Sequence, residues 1–216
     1  MMTNGSIKFL TCLNKIGQTL KASLSIGSHR LAQHNPPKLN DSTIGRLRTH
    51  VYESIMLVDM KPRIYIETSI PSYLTSRRSR DLIAAANQEL TQEWWDTRKD
   101  DFDLIISEFV SREAAAGDPN AARDRLAAIA GIPELNITDE VGQLAQILIE
   151  KIPLPEKAQL DALHIAIATV HGTDYLLTWN CTHINNAELR PKIEALCRLQ
   201  GYEPPIICTP QELLKV

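Results

Sequence analysis

The sequence predicts an α/β domain, a three-layer α/β/α sandwich built on a parallel sheet, and three observations predict it. Short runs of consecutive apolar residues, Ile64 to Ile66, Leu104 to Ile106 and Tyr175 to Leu177, read as strands buried on both faces. Stretches with helical periodicity separate these runs. Residues suited to caps and stops stand at the joins. Alternation of this kind is how crossover helices cover a parallel sheet.

The elements follow in order. After the first strand, Thr68-Ser69 offers a helix N-cap with Pro71 close behind. A long helix is expected over about Asp81 to Arg98. The second strand ends on Ser107, which can cap a helix reaching Ala116 and stopped by Gly117. Pro119 opens the next helix, which runs to about Ala130 before a weak strand at Pro133 to Ile137. Thr138-Asp139-Glu140 starts a helix to about Lys151, and Pro153 and Pro155 break it. Glu156 to His171 is helical and nearly all apolar, Gly172 ends it, and Tyr175 to Thr178 is the next strand. A helix over about Glu188 to Gln200 and an edge strand over Pro205 to Cys208 complete the series.

A chain of 216 residues suits one domain of ordinary size with a tail, and the boundary is expected near Met60. Residues 1–59 hold seven Lys or Arg against three Asp or Glu, a net charge of +4. Rich in Ser, Thr, Asn and Gly, they are expected to be a flexible basic extension with little fixed structure. Three origins compete for this segment: a basic arm, a transit-like presequence, and a start placed too early, since Met60 directly precedes the first strand. Residues 60–216 hold sixteen basic against twenty-three acidic side chains, a net charge of −7. Such a domain can approach RNA only through a local basic patch and bound cations, because its overall field repels phosphate. The four cysteines, Cys12, Cys181, Cys197 and Cys208, form no CxxC pair and read as free thiols of a reducing compartment, the cytoplasm. No apolar run reaches the roughly 18 residues of a membrane helix, so no membrane span is expected.

Several polar residues are not explained by packing. Glu67 ends the first strand, where open parallel sheets bind ligands, although a solvated strand end would look the same. Glu113 shares a helix face with Phe109 and Val110 and therefore points inward, whereas Glu108 and Arg112 are spaced as a surface pair. Asp161 stands on an almost wholly apolar helix, and a buried carboxylate there needs either a cation or a buried Arg. His164, one turn beyond, reads as a satisfied core residue, with an Asp and His metal site including His183 as the lesser reading. Asn180 ends its strand as Glu67 ends the first, or simply begins a turn. Arg77, Arg78 and Arg80 are the dense basic cluster of the domain, either a solvated face or a phosphate clamp. Trp94, Trp95 and Trp179 read as packing residues.

The run Ile64-Tyr65-Ile66-Glu67-Thr68-Ser69-Ile70-Pro71-Ser72-Tyr73-Leu74 resembles the opening strand and turn of PIN domains of the VapC toxin type. The segments Ser107 to Glu113, Asp161-Ala162-Leu163-His164-Ile165-Ala166 and Leu176-Leu177-Thr178-Trp179-Asn180 resemble the later motifs of that family, in order. The resemblance implies a central parallel sheet of five strands and an endoribonuclease that uses Mg²⁺ or Mn²⁺. It also implies an antitoxin partner and makes a homodimer plausible. It places Glu67, Glu113 and Asp161 as metal ligands, Asn180 at the position of a fourth acid, and Thr178 as an orienting residue. Two departures follow: Glu67 stands where the family usually has Asp, and Asn180 is neutral, leaving three charges. A catalytically weak or inactive domain that binds RNA or protein is the alternative. A phosphatase or receiver-like enzyme fits less well, because Glu67 replaces the nucleophilic Asp such enzymes need and no phosphate-cradling glycine loop is present.

Overall fold

The computed structural model describes residues 60–152, 155 and 159–214, which fall within one compact unit, Asp59–Val216. The expectations for residues 1–59, and the start of the helix expected from Glu156, lie outside the described residues.

Five strands, β1 (Arg63–Ile66), β2 (Asp103–Ser107), β3 (Glu134–Leu135), β4 (Tyr175–Leu177) and β5 (Ile206–Cys208), form one sheet in the order β3-β2-β1-β4-β5. Every pairing is parallel. The connecting helices are α1 (Ser69–Thr75), α2 (Leu82–Thr97), α3 (Glu108–Ala114), α4 (Pro119–Ala128), α5 (Asp139–Lys151), α6 (Gln159–Val170) and α7 (Arg190–Leu199). Successive residues of a strand face opposite sides, and Ile64, Tyr65 and Ile66 are all fully buried, so helices cover both faces of β1. The α/β class and the five-stranded parallel sheet are as expected.

Local chemistry accounts for most boundaries. Asp81, Ser107, Asp118 and Thr138 cap α2, α3, α4 and α5 by accepting from backbone N–H groups of the first turn. Gly172, at φ 61°, takes the left-handed conformation that ends α6. The last helix begins two residues later than expected, because Asn186 holds the Glu188 and Leu189 N–H groups in a turn and Pro191 fits the first helical turn. Thr68 departs from its expected role: it stands at the start of α1 without a side-chain capping bond. Glu108 departs as well. Its carboxylate accepts from the Ile137 backbone N–H at 3.0 Å, while Arg112 lies over the Phe109 ring, so the expected surface pair does not form.

Candidate active site

The chain leaves β1 toward β2 on one side and returns to β4 on the other, which makes the crevice beyond the carboxyl ends of β1 and β4 the switch point of the sheet. Glu67 is the residue directly after β1, Thr178 follows β4, and Ser107 closes β2 ahead of the helix that carries Glu113. The hollow lined by Arg63, Asp103 and Gly131 lies at the opposite, amino edge of the sheet.

Each of three carboxylates meets the protein through one oxygen. Glu67, only 7% exposed, accepts at Oε2 from the Ser69 hydroxyl at 2.5 Å and the Thr178 hydroxyl at 2.7 Å. Glu113 accepts at Oε2 from the Thr68 hydroxyl and from His164 Nε2, the latter at 3.0 Å. Asp161 lies in the first turn of α6, where the helix dipole favours an anion, and its Oδ2 is 2.9 Å from His183 Nδ1. The second oxygen of each acid accepts no hydrogen bond from a described residue. Ligand atoms of Glu67, Glu113 and His164 all lie within 4.8 Å of one another. Asp161 precedes His164 by three residues on α6, a spacing that puts both on one helix face.

Behind these acids runs a buried chain of polar groups. The Tyr65 hydroxyl is 2.9 Å from His164 Nδ1 and 2.8 Å from the Ser107 hydroxyl, which also accepts from the Val110 N–H at 3.3 Å. Burial pushes the Tyr65 phenol well above its ordinary pKa, so its proton stays on the oxygen. For Glu113, burial works to raise the pKa, but the hydrogen bonds from His164 and Thr68 outweigh it and hold the carboxyl below its usual range.

The remaining expected site residues are placed as follows. Thr178 is fully buried; its hydroxyl donates to Glu67 and accepts from the Asn180 N–H at 2.9 Å. Asn180 uses its side-chain oxygen to accept from the His183 N–H at 3.1 Å, so it shapes the turn that carries His183. Arg77, Arg78 and Arg80 are exposed on the segment between α1 and α2. Arg78 pairs with Glu89 at 2.5 Å, and the other two make no ion pair among the described residues. Seven residues of α1, rising about 1.5 Å each, separate this segment from Glu67 by roughly 10 Å. The tryptophans pack: Trp94 is buried in the core, and Trp179 donates from Nε1 to Thr91 at 2.7 Å.

Sequence reasoning missed the partners more than the acids. Thr68, Ser69 and Ser107 read as caps, His164 as core, and Tyr65 as a strand residue. The available signal was density: two hydroxyls follow Glu67 directly, and His164 shares a face with Asp161. Asp161 is not buried as expected but partly exposed, at 19% for its side chain, and the group beside it is the His183 imidazole, with no Arg on it among the described residues.

No known protein family and no curated protein matches the sequence. Among solved structures, the chain is similar to the toxin VapC20 of Mycobacterium tuberculosis, described as cleaving the sarcin-ricin loop, at 15% identity and a TM-score of 0.43 over 55% of this chain and 91% of that one. It is also similar to VapBC2 of Rickettsia felis, bound to a DNA fragment from its promoter, at 13% identity and a TM-score of 0.43 over 68% of this chain and 98% of that one.

Proposed function

We propose that residues 60–216 are a divalent-metal-dependent endoribonuclease that hydrolyses RNA phosphodiester bonds, acting as the toxin of a type II toxin–antitoxin pair. The observation that carries this reading is the division of labour within the carboxylates: Glu67 and Glu113 each have one oxygen fixed by hydrogen bonds and one left over, and Asp161 has Oδ2 2.9 Å from His183 Nδ1. Glu67 and Glu113, whose carboxylate oxygens lie within 4.8 Å of each other, repel unless a cation lies between them, and Asp161 stands one turn from His164, the third member of that cluster. Hard divalent ions such as Mg²⁺ and Mn²⁺ take oxygen ligands, and ligating carboxylates are steadied by hydrogen bonds to their other atoms. The donor set therefore fits such an ion, with Glu67, Glu113 and Asp161 as the holders and Asn180 contributing no charge.

A cation held there supplies a water of lowered pKa and offsets charge on the reacting phosphate. The rest falls to the chain. Thr178 and Ser69 keep Glu67 turned into the crevice, His183 orients Asp161, and Arg77, Arg78 and Arg80 grip flanking phosphates of the RNA. The motif resemblance supports the toxin role, an antitoxin partner and a homodimer. In the test, the full chain is given single-stranded and structured RNA with Mg²⁺ or Mn²⁺, beside Asp161→Ala. Cleavage that needs the metal and falls by 100-fold or more in the variant is expected, on the order of losing a charged ligand from such a site; equal cleavage by both proteins rejects the assignment.

One observation favours a non-catalytic RNA- or protein-binding domain instead: His164 and His183 already stand against Glu113 and Asp161, so each of those acids has a neighbour in the protein without a metal. A melting temperature that Mg²⁺ and Mn²⁺ leave unchanged selects this alternative.

A further inference from the structure

We infer that His164 is a positioning residue, a hydrogen-bond donor locked toward Glu113 by Tyr65 and Ser107 so that Oε1 of Glu113 is the oxygen presented to the crevice. The inference rests on the metal-site reading above and assigns His164 a place behind the ligands, not among them.

His164 is 2% exposed and its two ring nitrogens have different partners. Nε2 is 3.0 Å from Glu113 Oε2, an oxygen that already accepts from the Thr68 hydroxyl, so the hydrogen of this bond is assigned to Nε2. Nδ1 faces the Tyr65 hydroxyl, which can either donate to it or accept from it. With a neutral ring, Tyr65 donates to Nδ1 and Ser107 donates to Tyr65. With a cationic ring, both bonds reverse. The neutral arrangement satisfies every group of this chain, the cationic one leaves only the Ser107 hydroxyl hydrogen without an acceptor among the described residues, and both keep the hydrogen on Nε2; the tautomer with hydrogen on Nδ1 alone would set two lone pairs against each other. Phe109, with its ring centroid 4.9 Å away, walls the imidazole and limits its rotation. The Nε2–H and the Thr68 hydroxyl both converge on Oε2, which fixes the Glu113 rotamer and leaves Oε1 without a protein partner among the described residues.

The closing experiment uses the full chain in two arms. In the metal-free protein, ¹⁵N-resolved NMR of the His164 ring is expected to show a protonated Nε2, and Tyr65→Phe is expected to produce a mixture of tautomers. A ring protonated at Nδ1 alone overturns the inference whether or not any metal binds. In the second arm, Mn²⁺ affinity is measured for the wild type, His164→Gln and His164→Leu, with melting temperatures to establish folding. Loss of a supporting hydrogen bond lowers metal affinity by about 10- to 100-fold, so His164→Leu is expected to weaken binding by that factor. His164→Gln retains an N–H donor of similar reach and is expected to stay within about threefold of the wild type, since its donor still serves the ligating acid. Equal weakening in both folded variants makes His164 a ligand or mere packing and overturns the inference, as does no weakening in either. A wild type that binds no Mn²⁺ instead rejects the metal-site reading, and the first arm then decides the positioning role alone.

Discussion

Asp161 carries more of the proposed chemistry than any neighbour, because Oδ2 lies 2.9 Å from His183 Nδ1 and Oδ1 accepts no hydrogen bond from a described residue. Asp161→Asn keeps shape and one acceptor but removes the charge, so metal affinity should fall by at least tenfold while the melting temperature of the metal-free protein changes little. Calorimetric titration with Mn²⁺ measures the first and thermal unfolding the second. Glu113 makes a different prediction. Its folded pKa is depressed below the unfolded value near 4.5, so its contribution to stability is present in full above that pH and is lost as pH falls through the folded value. The metal-free Glu113→Gln protein should therefore show a flatter melting-temperature profile below about pH 4.5, where wild-type stability drops as this carboxylate protonates. Identical acid limbs in both proteins would mean that His164 and Thr68 do not favour the ionised acid.

At the scale of elements, Ser107 joins secondary structure to the site: its hydroxyl caps α3 and also touches Tyr65. Thr138 caps α5 and does nothing comparable. Thr138→Ala should cost about 1 kcal/mol, the ordinary value of an N-cap. Ser107→Ala removes the cap and leaves a buried phenol short of a partner, and should cost about 2 kcal/mol or more. Urea unfolding of the two variants measures the difference, and equal losses would reduce Ser107 to a cap. The same pair shows what could be read in advance. Caps act over three residues, so Ser107 and Thr138 were legible from the sequence. The hydroxyls of Thr68 and Thr178 act on acids 45 and 111 residues away, and no local pattern reports such pairings. Glu67 and Glu113 were legible because strand ends and helix faces follow from periodicity. His183 entered only through the lesser reading of an Asp and His metal site, since it reaches Asp161 from an irregular segment whose path depends on the Asn180 turn. The slip at Thr68 has the same origin: a hydroxyl before a helix is usually a cap, and here a distant carboxylate competes for it and wins.

For the molecule as a whole, the nuclease reading proposed above asks how a unit carrying −7 over residues 60–216 would meet a polyanion. Metal at the three carboxylates would remove local repulsion but supplies no long reach. Arg77, Arg78 and Arg80, exposed and roughly 10 Å along α1 from Glu67, are spaced to touch a phosphate one or two nucleotides from the reacting one. Their contributions should be unequal, because Arg78 must first give up Glu89. Each phosphate contact to a single strand adds about 0.7 to the slope of log affinity against log salt concentration. Arg77→Ala and Arg80→Ala should each lower the slope by about that amount, and Arg78→Ala by less. Fluorescence anisotropy of a labelled RNA across a KCl series, at fixed Mn²⁺ and in an Asp161→Ala background that prevents cleavage, measures these slopes. A triple variant with the slope of its parent would place the RNA path elsewhere on the surface, and the segment between α1 and α2 would then be a solvated face.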